Sequence, residues 1–511
     1  MNATFNLISE PWIPARALDG SQDLCSLRDT LVRAHELQGI EDPSPLVVAS
    51  LHRLLLAVLH RALEGPEDSI DAAEWLMDGA FPSEDIDGYL DEWQERFELF
   101  SENGRFFQVE PHDDLLDPKQ HAPWTSLAAE IAGGNNPTLF DHSGDEDPRP
   151  ISAAEAARLL VADQTFALGG GRSSLGLSNR RDGPLTSALA VVPVGETLFE
   201  TFCLNLLPYP PEDREQDTPA WERPPLTLDN LRANPMRVPQ GLTDRYTWQT
   251  RCVRLQPNDD LTVTRTIYAS GIGLGKAEVA EIDMDPMSPF RIGDKGPLAI
   301  RLRGDRALWR DFLALTPAHS GWSPARTVEH ALIVREETND NSVLPVQLLG
   351  QGRVPAQAKL ERWRSETFYL PDAVLRERLA VEVVEACLEA AEETGQSLRS
   401  VSRALAEKLL STGDRKPHRD DIARISQTIP LVTRYWSSLE SRFPSLLGRF
   451  RTGWDADASQ AFWDKTLLEV ANDAWRTAVA SVGVDARTLR AIQHAENELR
   501  KRLSPLRERA A

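Results

Sequence analysis

The hydrophobic pattern of this chain changes character near Pro371. From residue 185 to 365, apolar runs punctuated by Pro and Gly have the length of strands: LTSALAVVPV, TFCLNLLPY, RTIYASGIGL, PLAIRLRG, VEHALIVRE and LPVQLLG. After Pro371 the spacing becomes helical, over 373–394, 398–410, 420–442, 458–482 and 485–502. We therefore predict an α+β fold, with a large mixed domain containing antiparallel β elements over residues 1–368 and a C-terminal four-helix-type bundle over 369–511.

The strongest helical pattern of the first domain lies at residues 45–63. Two His-Arg pairs, at positions 52–53 and 60–61, interrupt its apolar run. A membrane-spanning helix needs about 20 nearly uncharged residues, so we predict a buried core helix here. The N-terminal sequence has no basic stretch followed by an apolar run, and we expect a cytoplasmic protein without a membrane partner.

Negative charge is concentrated in the first 150 residues. They hold 30 acidic and 9 basic residues, whereas residues 151–511 hold 48 and 47, which together give the net charge of −22. An acidic total does not exclude nucleic-acid binding, because phosphates are bound by local patches. Many carboxylates could also suggest a metal-dependent nuclease, but these acids lie in polar, loop-like stretches that favour a solvated face. The chain has no nucleophile motif and no close cysteine pair, so we predict no enzyme activity, no metal and no cofactor.

Three consecutive glycines, Gly169, Gly170 and Gly171, stand out in the middle of the chain. Arg172, Arg180 and Arg181 follow them. Consecutive glycines let a backbone approach a polyanion closely and offer N–H groups to phosphate. The simpler alternative is a flexible loop tip.

Lysine is rare enough that its placement carries information. Between residues 120 and 358 only Lys276 and Lys295 occur. Lys295 lies in a predicted strand–turn–strand unit over 290–299, whose tip could enter a nucleic-acid groove. Lys276 follows a glycine-rich turn that lacks the Ser or Thr of a phosphate-binding P-loop. A second strand–turn unit, over 344–361, carries Gln357 near its tip.

Two further segments have the composition of exposed surface. Residues 132–150 are rich in Gly, Asn, Pro and Asp, which indicates a long loop. Residues 399–434 hold eight basic and four acidic residues. This basic run could bind nucleic acid, or could simply be a solvated face of the bundle.

Several separated motifs, taken in order, resemble the large subunit of the subtype I-E CRISPR Cascade complex, the CasA family. The resemblance covers essentially the whole chain. It is carried by 5–14 (FNLISEPWIP), 26–28 (SLR), 34–37 (AHEL), 42–46 (DPSPL), 133–142 (GGNNPTLFDH), the glycine triplet, the Gln357 unit and the C-terminal bundle.

The resemblance implies a non-catalytic subunit of an RNA-guided antiviral complex. Guide RNA reads the target by base pairing, while the protein reads a short flanking motif, the PAM, from the minor groove of double-stranded DNA. Its implied partners are the other subunits with their crRNA, the target duplex, the displaced non-target strand and a helicase-nuclease that the complex recruits.

The resemblance also assigns roles to residues of this chain. Leu168–Gly171 is the glycine loop against the DNA backbone, and Lys295 is the finger in the groove, with Lys276 as the alternative. Gln357, flanked by Ala356 and Ala358, is the wedge that splits the pair next to the PAM. The guide-handle loop contains Asn135, Asn136, Phe140 and His142. From the basic run we predict that Arg399, Arg403, Arg415, Lys416 and Arg419 follow the displaced strand or contact a neighbouring small subunit.

Two departures from the family pattern are visible. Some relatives carry paired cysteines that could hold zinc, and this chain lacks both pairs. Where relatives place a glycine before the triplet, this chain has Ala167 or Leu168. Two other classes stay open at this point, a carboxylate-dependent nuclease and a purely structural assembly subunit.

Overall fold

The computed structural model describes residues 4–102, 104–131, 148–171, 174–276, 284–293, 296–303, 306–317, 319, 321–354, 357, 359–411 and 417–510. The chain forms two compact units. The first combines Met1–Asp305 with Gly321–Phe368, and the second combines Arg306–Ser320 with Tyr369–Ala511.

The strands form small sheets rather than one continuous layer. They are β1 Ile13–Ala17, β2 Gln22–Cys25, β3 Leu37–Ile40, β4 His121–Pro123, β5 Leu189–Pro193, β6 Met236–Arg237, β7 Arg251–Pro257, β8 Val263–Ser270, β9 Gly273–Leu274, β10 Phe290–Gly293, β11 Gly296–Ala299, β12 Leu344–Arg353 and β13 Leu360–Leu370. The sheet orders are β2-β1-β3, β4-β8-β7, β13-β12-β5, β10-β11 and β6-β9. The β6–β9 pairing is parallel, whereas the β1, β5, β8 and β10 pairings are antiparallel. The mixed α+β fold class is confirmed.

Helices of the first unit surround these sheets. They are α1 Leu27–Val32, α2 Pro45–Ala62, α3 Ser69–Asp78, α4 Ser83–Glu92, α5 Ala153–Phe166, α6 Leu198–Cys203, α7 Pro211–Arg214, α8 Leu228–Arg232, α9 Leu242–Tyr246 and α10 Arg326–Glu337. The predicted core helix is α2, with Pro45 in its first turn, and its side chains from Pro45 to His60 are buried. By length and composition α2 alone among the described helices could cross a membrane, and it lies almost entirely inside the protein.

Two runs that the sequence pattern predicted as strands do not form strands: 201–203 end a helix and 204–209 follow as turn and irregular chain, whereas 328–336 is helical throughout. Residues 201–209 begin inside α6, whose first turn is capped by the Thr197 side chain accepting from the Glu200 N–H. Residues 328–336 lie in α10, where Val328, Ala331 and Val334 are buried at a spacing of three. That spacing is helical, and the β-branched composition of the run concealed it.

The second unit is a helical bundle joined by the segment 306–320. Its helices are α11 Asp372–Arg376, α12 Arg378–Leu410, α13 Arg419–Thr428, α14 Leu431–Glu440, α15 Phe443–Leu447, α16 Ala456–Ala480, α17 Ala486–Arg502 and α18 Ser504–Arg509. Trp309, from the joined segment, packs its ring against Phe443 and Trp463 at centroid distances of 5.1 and 6.3 Å.

Two predicted helix boundaries in the bundle are wrong. The predicted break between 394 and 398 does not occur, because α12 continues through Gly395. A Cβ there would lie 2.4 Å from the Trp436 ring, so the glycine serves close packing rather than a turn. Conversely, the single helix predicted over 420–442 is split at Pro430, which cannot donate a helical hydrogen bond.

Candidate nucleic-acid interface

The glycine loop follows directly from the end of α5. Gly170 and Gly171 have φ angles of +119° and +90°, a region that favours glycine. A Cβ on Gly169 would lie 2.7 Å from an Asp182 carboxylate oxygen, and one on Gly171 would lie 2.2 Å from the Arg180 guanidinium. Backbone conformation therefore favours glycine at positions 170 and 171, and the close approach of the backbone at Arg181 and Asp182 favours it at position 169.

The backbone N–H groups of this loop are less available than the sequence suggested. The Gly169 N–H donates to Asp182 Oδ1 at 2.7 Å, and the Gly170 N–H donates to the Arg180 carbonyl at 2.8 Å. The expectation of free N–H groups is wrong for these two positions, because residues 180–183 pair with the loop. The Gly183 N–H extends this pairing by donating to the Ala167 carbonyl at 2.9 Å. The backbone of the loop is thus held in place by its hydrogen bonds to residues 180–183.

A buried arginine supports the loop from below. Arg251, on β7, is 1% exposed, and its guanidinium donates to the carbonyls of Leu168 at 2.8 Å and Arg181 at 2.7 Å. Its Nε donates to the Tyr268 hydroxyl at 3.1 Å, and that hydroxyl donates to Asp163 Oδ1 at 3.0 Å. One side chain therefore ties both arms of the loop to the sheet.

The carboxyl group at the end of this network has an altered pKa. Burial raises the pKa of Asp163 to about 7, opposed by the nearby positive charge of Arg251. Burial and the neighbouring Asp163 raise the pKa of Tyr268 to about 12, so the phenol keeps its proton. Asp163 Oδ2 has no hydrogen-bond partner within the described residues.

The hairpin of β12 and β13 is joined to the same loop. Gln351 is buried, and its amide donates to the Phe166 carbonyl at 2.5 Å, just before the glycines. Two residues further along β12, Arg353 Nη1 lies 3.0 and 2.9 Å from the two Asp182 carboxylate oxygens. Asp182 therefore accepts from both the glycine loop and the hairpin.

Gln357 lies in the connection between these two strands and is exposed. The Val354 N–H donates to the Lys359 carbonyl at 2.9 Å and closes the tip, and the Gln357 N–H donates to the Val354 carbonyl at 3.1 Å. The flanking Ala356 and Ala358 lie outside the described residues. The structure therefore leaves Gln357 exposed, with its backbone N–H bonded within the tip.

The two lysine candidates occupy different surroundings. The predicted strand–turn–strand unit exists as β10 and β11, paired from Phe290↔Ala299 to Gly293↔Gly296, but Lys295 itself lies outside the described residues. Lys276 is exposed and follows β9, where a Cβ on Gly273 would lie 2.1 Å from the Arg181 guanidinium. Gly273, three residues before Lys276, thus adjoins the segment that pairs with the glycine loop, and both lysines stay candidates for the finger.

The bundle's basic face, the residues of the basic run, is built differently. Arg399 and Arg403 lie exposed on α12, and Arg419 lies exposed at the start of α13. Arg415 and Lys416 lie outside the described residues. Asp420 and Asp421 occupy the first turn of α13 and dilute the positive charge.

Other predicted residues fall outside the structural description, namely Asn135, Asn136, Phe140 and His142 of the guide-handle loop. Within the described ranges, no group of three or more His, Cys, Asp and Glu side chains could hold a metal ion. Sequence reasoning missed the residues that support the glycine loop: Asp163, Asp182, Arg251, Tyr268 and Arg353. They come from five separate stretches of chain, and no local spacing connects them.

The described part of the site is a glycine loop tied by hydrogen bonds to the β12–β13 hairpin, within a mixed α+β unit. Comparisons with known proteins identify the class. Residues 6–474 match the family described as CRISPR-associated protein Cse1. The chain is 38% identical to CRISPR-associated protein CasA/Cse1 of Thermus thermophilus, over 99% of this chain and 98% of that protein. The chain belongs to the Cse1/CasA family.

Solved structures share its fold. The structure of Thermus thermophilus CasA (Cse1) matches with a TM-score of 0.85 at 35% identity, over 98% of this chain and 99% of that chain. A chain of a CRISPR RNA-guided surveillance complex matches with a TM-score of 0.76 at 23% identity, over 97% and 99% of the two chains. The second match, at this identity, concerns the fold alone.

Proposed function

We propose that this chain is the PAM-reading subunit of a cytoplasmic crRNA-guided complex and that it helps to open double-stranded DNA. The glycine loop contacts the DNA backbone, a lysine from the 290–299 hairpin or from the segment after β9 enters the minor groove, and Gln357 wedges the adjacent base pair apart. The complex then recruits a helicase-nuclease to the opened target. This chain itself carries out no catalysis in the proposal.

One observation carries the proposal: Asp182 joins the glycine loop and the Gln357 hairpin. A backbone that must sit close to a rigid duplex needs a fixed conformation, and here glycine conformations, close approaches and a buried arginine all fix it. The degenerate acceptor pattern of the minor groove further implies that several PAM sequences are tolerated. Phosphate contacts position the protein, while the lysine and the wedge act at bases.

The direct test is binding of a PAM library by the reconstituted complex with and without this chain. We expect enrichment of a small set of PAM sequences only when the chain is present. Equal enrichment in its absence would refute PAM reading. Crosslinking of Lys295 to PAM DNA distinguishes the proposal from a purely structural subunit, and Mn²⁺- or Mg²⁺-dependent cleavage by the purified chain would support the nuclease alternative.

The wedge is tested by the rate of strand opening. Separating the first base pair costs a stacking step of about 1–2 kcal/mol before any RNA–DNA pair forms. Gln357→Ala should spare binding to PAM duplex but slow the opening of a fully paired target, and a target with mismatches next to the PAM should rescue it. Opening at the wild-type rate on the paired target would contradict the wedge.

A further inference from the structure

The glycine loop and the Gln357 hairpin share a single carboxylate. Asp182 Oδ1 accepts from the Gly169 N–H at 2.7 Å, and Arg353 Nη1 lies within 3.0 Å of both Asp182 oxygens. Asp182 and Arg353 are 171 positions apart in the sequence. The carboxylate therefore bridges two elements that the proposed function assigns to two different steps, PAM reading and strand opening.

Arg353 occupies a position from which it can control the tip of the hairpin. It is the last residue of β12, and the bond between Val354 and Lys359 closes the tip immediately after it. Four residues of chain reach at most about 14 Å, so Gln357 cannot lie far from this anchor. Gln351, two residues earlier, is fixed separately through Phe166. The outer tie, through Arg353, is the one that borders the tip among these two.

We propose that Asp182 and Arg353 are positioning residues that couple the glycine loop to the glutamine wedge. The ion pair holds the hairpin tip in the orientation set by the loop, so that a loop seated on PAM DNA presents Gln357 to the next base pair. This inference rests on the proposed function and adds a coupling between its two parts.

The electrostatics of the pair fit such a role. In the free protein the side chains of Arg353 and Asp182 are 32% and 44% exposed, and exposed pairs of this kind contribute little to stability. A duplex seated on the loop would exclude water, and the attraction between opposite charges strengthens as the local dielectric constant falls. The tie would therefore be strongest when DNA is bound.

The test uses the reconstituted complex and three DNA duplexes. The first carries a PAM beside a sequence that the guide cannot pair with, and it reports PAM binding alone. The second is a fully paired target, and the third is the same target with mismatches next to the PAM. Arg353→Ala removes the tie and leaves the Gly169 hydrogen bond, while Asp182→Asn keeps an oxygen acceptor for Gly169 but loses the charge. Arg16→Ala is the matched control, because the Arg16–Glu41 pair has similar exposures of 35% and 41%.

We expect Arg353→Ala and Asp182→Asn each to slow opening of the fully paired target by about fivefold, the upper end for an exposed pair. PAM binding by Arg353→Ala should stay within about twofold of wild type, and the mismatched target should restore the opening rate of both variants. The double variant should be no slower than either single variant, since both remove the same interaction. Arg353→Lys should recover part of the rate, and Arg16→Ala should behave as wild type.

Three results would overturn the coupling. Opening within about twofold of wild type for both single variants would show that the pair is dispensable, given the size expected for such a tie. Equal slowing on the mismatched target would place the defect outside wedging. Weaker PAM binding by Arg353→Ala, with a salt slope lower by about one, would make Arg353 a direct phosphate contact instead. Gly170→Asp and Gln357→Ala are measured in the same series, because they test the proposed function without touching the Asp182–Arg353 pair. If these two variants also behave as wild type, the proposed function itself fails, and not only the coupling.

Discussion

The glycine loop and the bundle's basic face are both candidate contacts for nucleic acid, and they are constructed in opposite ways. Behind the loop, Arg251 is 1% exposed and bonds both arms of the turn. On the bundle, Arg399 and Arg403 point into solvent from α12, and α13 buries none of its residues. A fixed backbone can discriminate between shapes and sequences, whereas exposed charges attract any phosphate chain. Under the proposed function, we therefore expect the loop to contribute specificity and the bundle to contribute general affinity.

The largest effect should come from Gly170→Asp. Residues with a side chain adopt the φ angle of +119° at position 170 only with strain. The new carboxylate would in addition repel phosphate. We expect the free variant loop to relax away from this conformation, so that restoring it on DNA would cost about 1–3 kcal/mol, a loss of PAM-duplex affinity of roughly 5- to 150-fold. Titration of the assembled complex with PAM duplex measures it.

Gly20→Asp is the control for this variant. Gly20 also has a positive φ, +87°, but an added Cβ would meet nothing within 4 Å. It should assemble and bind as wild type. If Gly170→Asp instead prevents assembly of the complex, the loop is structural and the contrast with the bundle disappears.

The second effect concerns the finger. An ammonium group in the minor groove donates to base acceptors, so Lys295→Ala should weaken PAM-dependent binding by about 1–3 kcal/mol. Lys276→Ala is the matched comparison, because it removes the same charge from the exposed segment after β9. Loss of binding in Lys276→Ala alone would transfer the finger to that segment.

The third effect tests the bundle. Changing Arg399, Arg403 and Arg419 together to Gln should lower the slope of log affinity against log salt by up to about three, roughly one for each lost phosphate contact. The control removes three exposed arginines elsewhere on the bundle, Arg476, Arg487 and Arg490. A slope that is unchanged, or that falls equally in both triple variants, would leave the basic run a solvated face.

The smallest effect on DNA binding should come from Asp163→Asn, which tests the buried support of the loop. The pKa of Asp163 is raised to about 7, so the folded protein holds a proton that the unfolded chain releases near pH 4. Stability from this group is therefore present at pH 4 and is lost as the pH rises towards 7.

Asp163→Asn removes that dependence, so its melting temperature should rise relative to wild type between pH 5 and pH 8. Other titrating groups cancel in the difference between the two proteins. PAM affinity should change less than about twofold, since the Asp163 carboxyl group bonds to Tyr268, which reaches the loop only through Arg251. A melting-temperature difference that is constant with pH would contradict the assigned pKa.

The sequence predicted elements better than it predicted their connections. The core helix at Pro45–Ala62, the hairpin at 290–299 and the helical C-terminus follow from period and turn residues. The run at 328–336 is helical, although its β-branched residues predict a strand more strongly than its spacing predicts a helix.

The support of the glycine loop was beyond local reasoning. In the sequence, Arg251 is an ordinary residue at the start of a strand. Its supporting role arises from hydrogen bonds to the carbonyl groups of Leu168 and Arg181, which lie 70 or more positions away. Asp182 and Arg353 are likewise joined only in the folded chain. Tertiary contacts of this kind leave no period or motif in a single sequence.

The most direct measurement is the ratio of affinities for two duplexes that differ only in the PAM, taken at one salt concentration. It is determined for the complex with the wild-type chain, with Gly170→Asp, and with Arg399, Arg403 and Arg419 changed to Gln. We predict that Gly170→Asp brings the ratio close to one, while the bundle variant weakens binding to both duplexes and keeps the ratio. A ratio preserved by Gly170→Asp and lost in the bundle variant would contradict the assignment of specificity to the glycine loop.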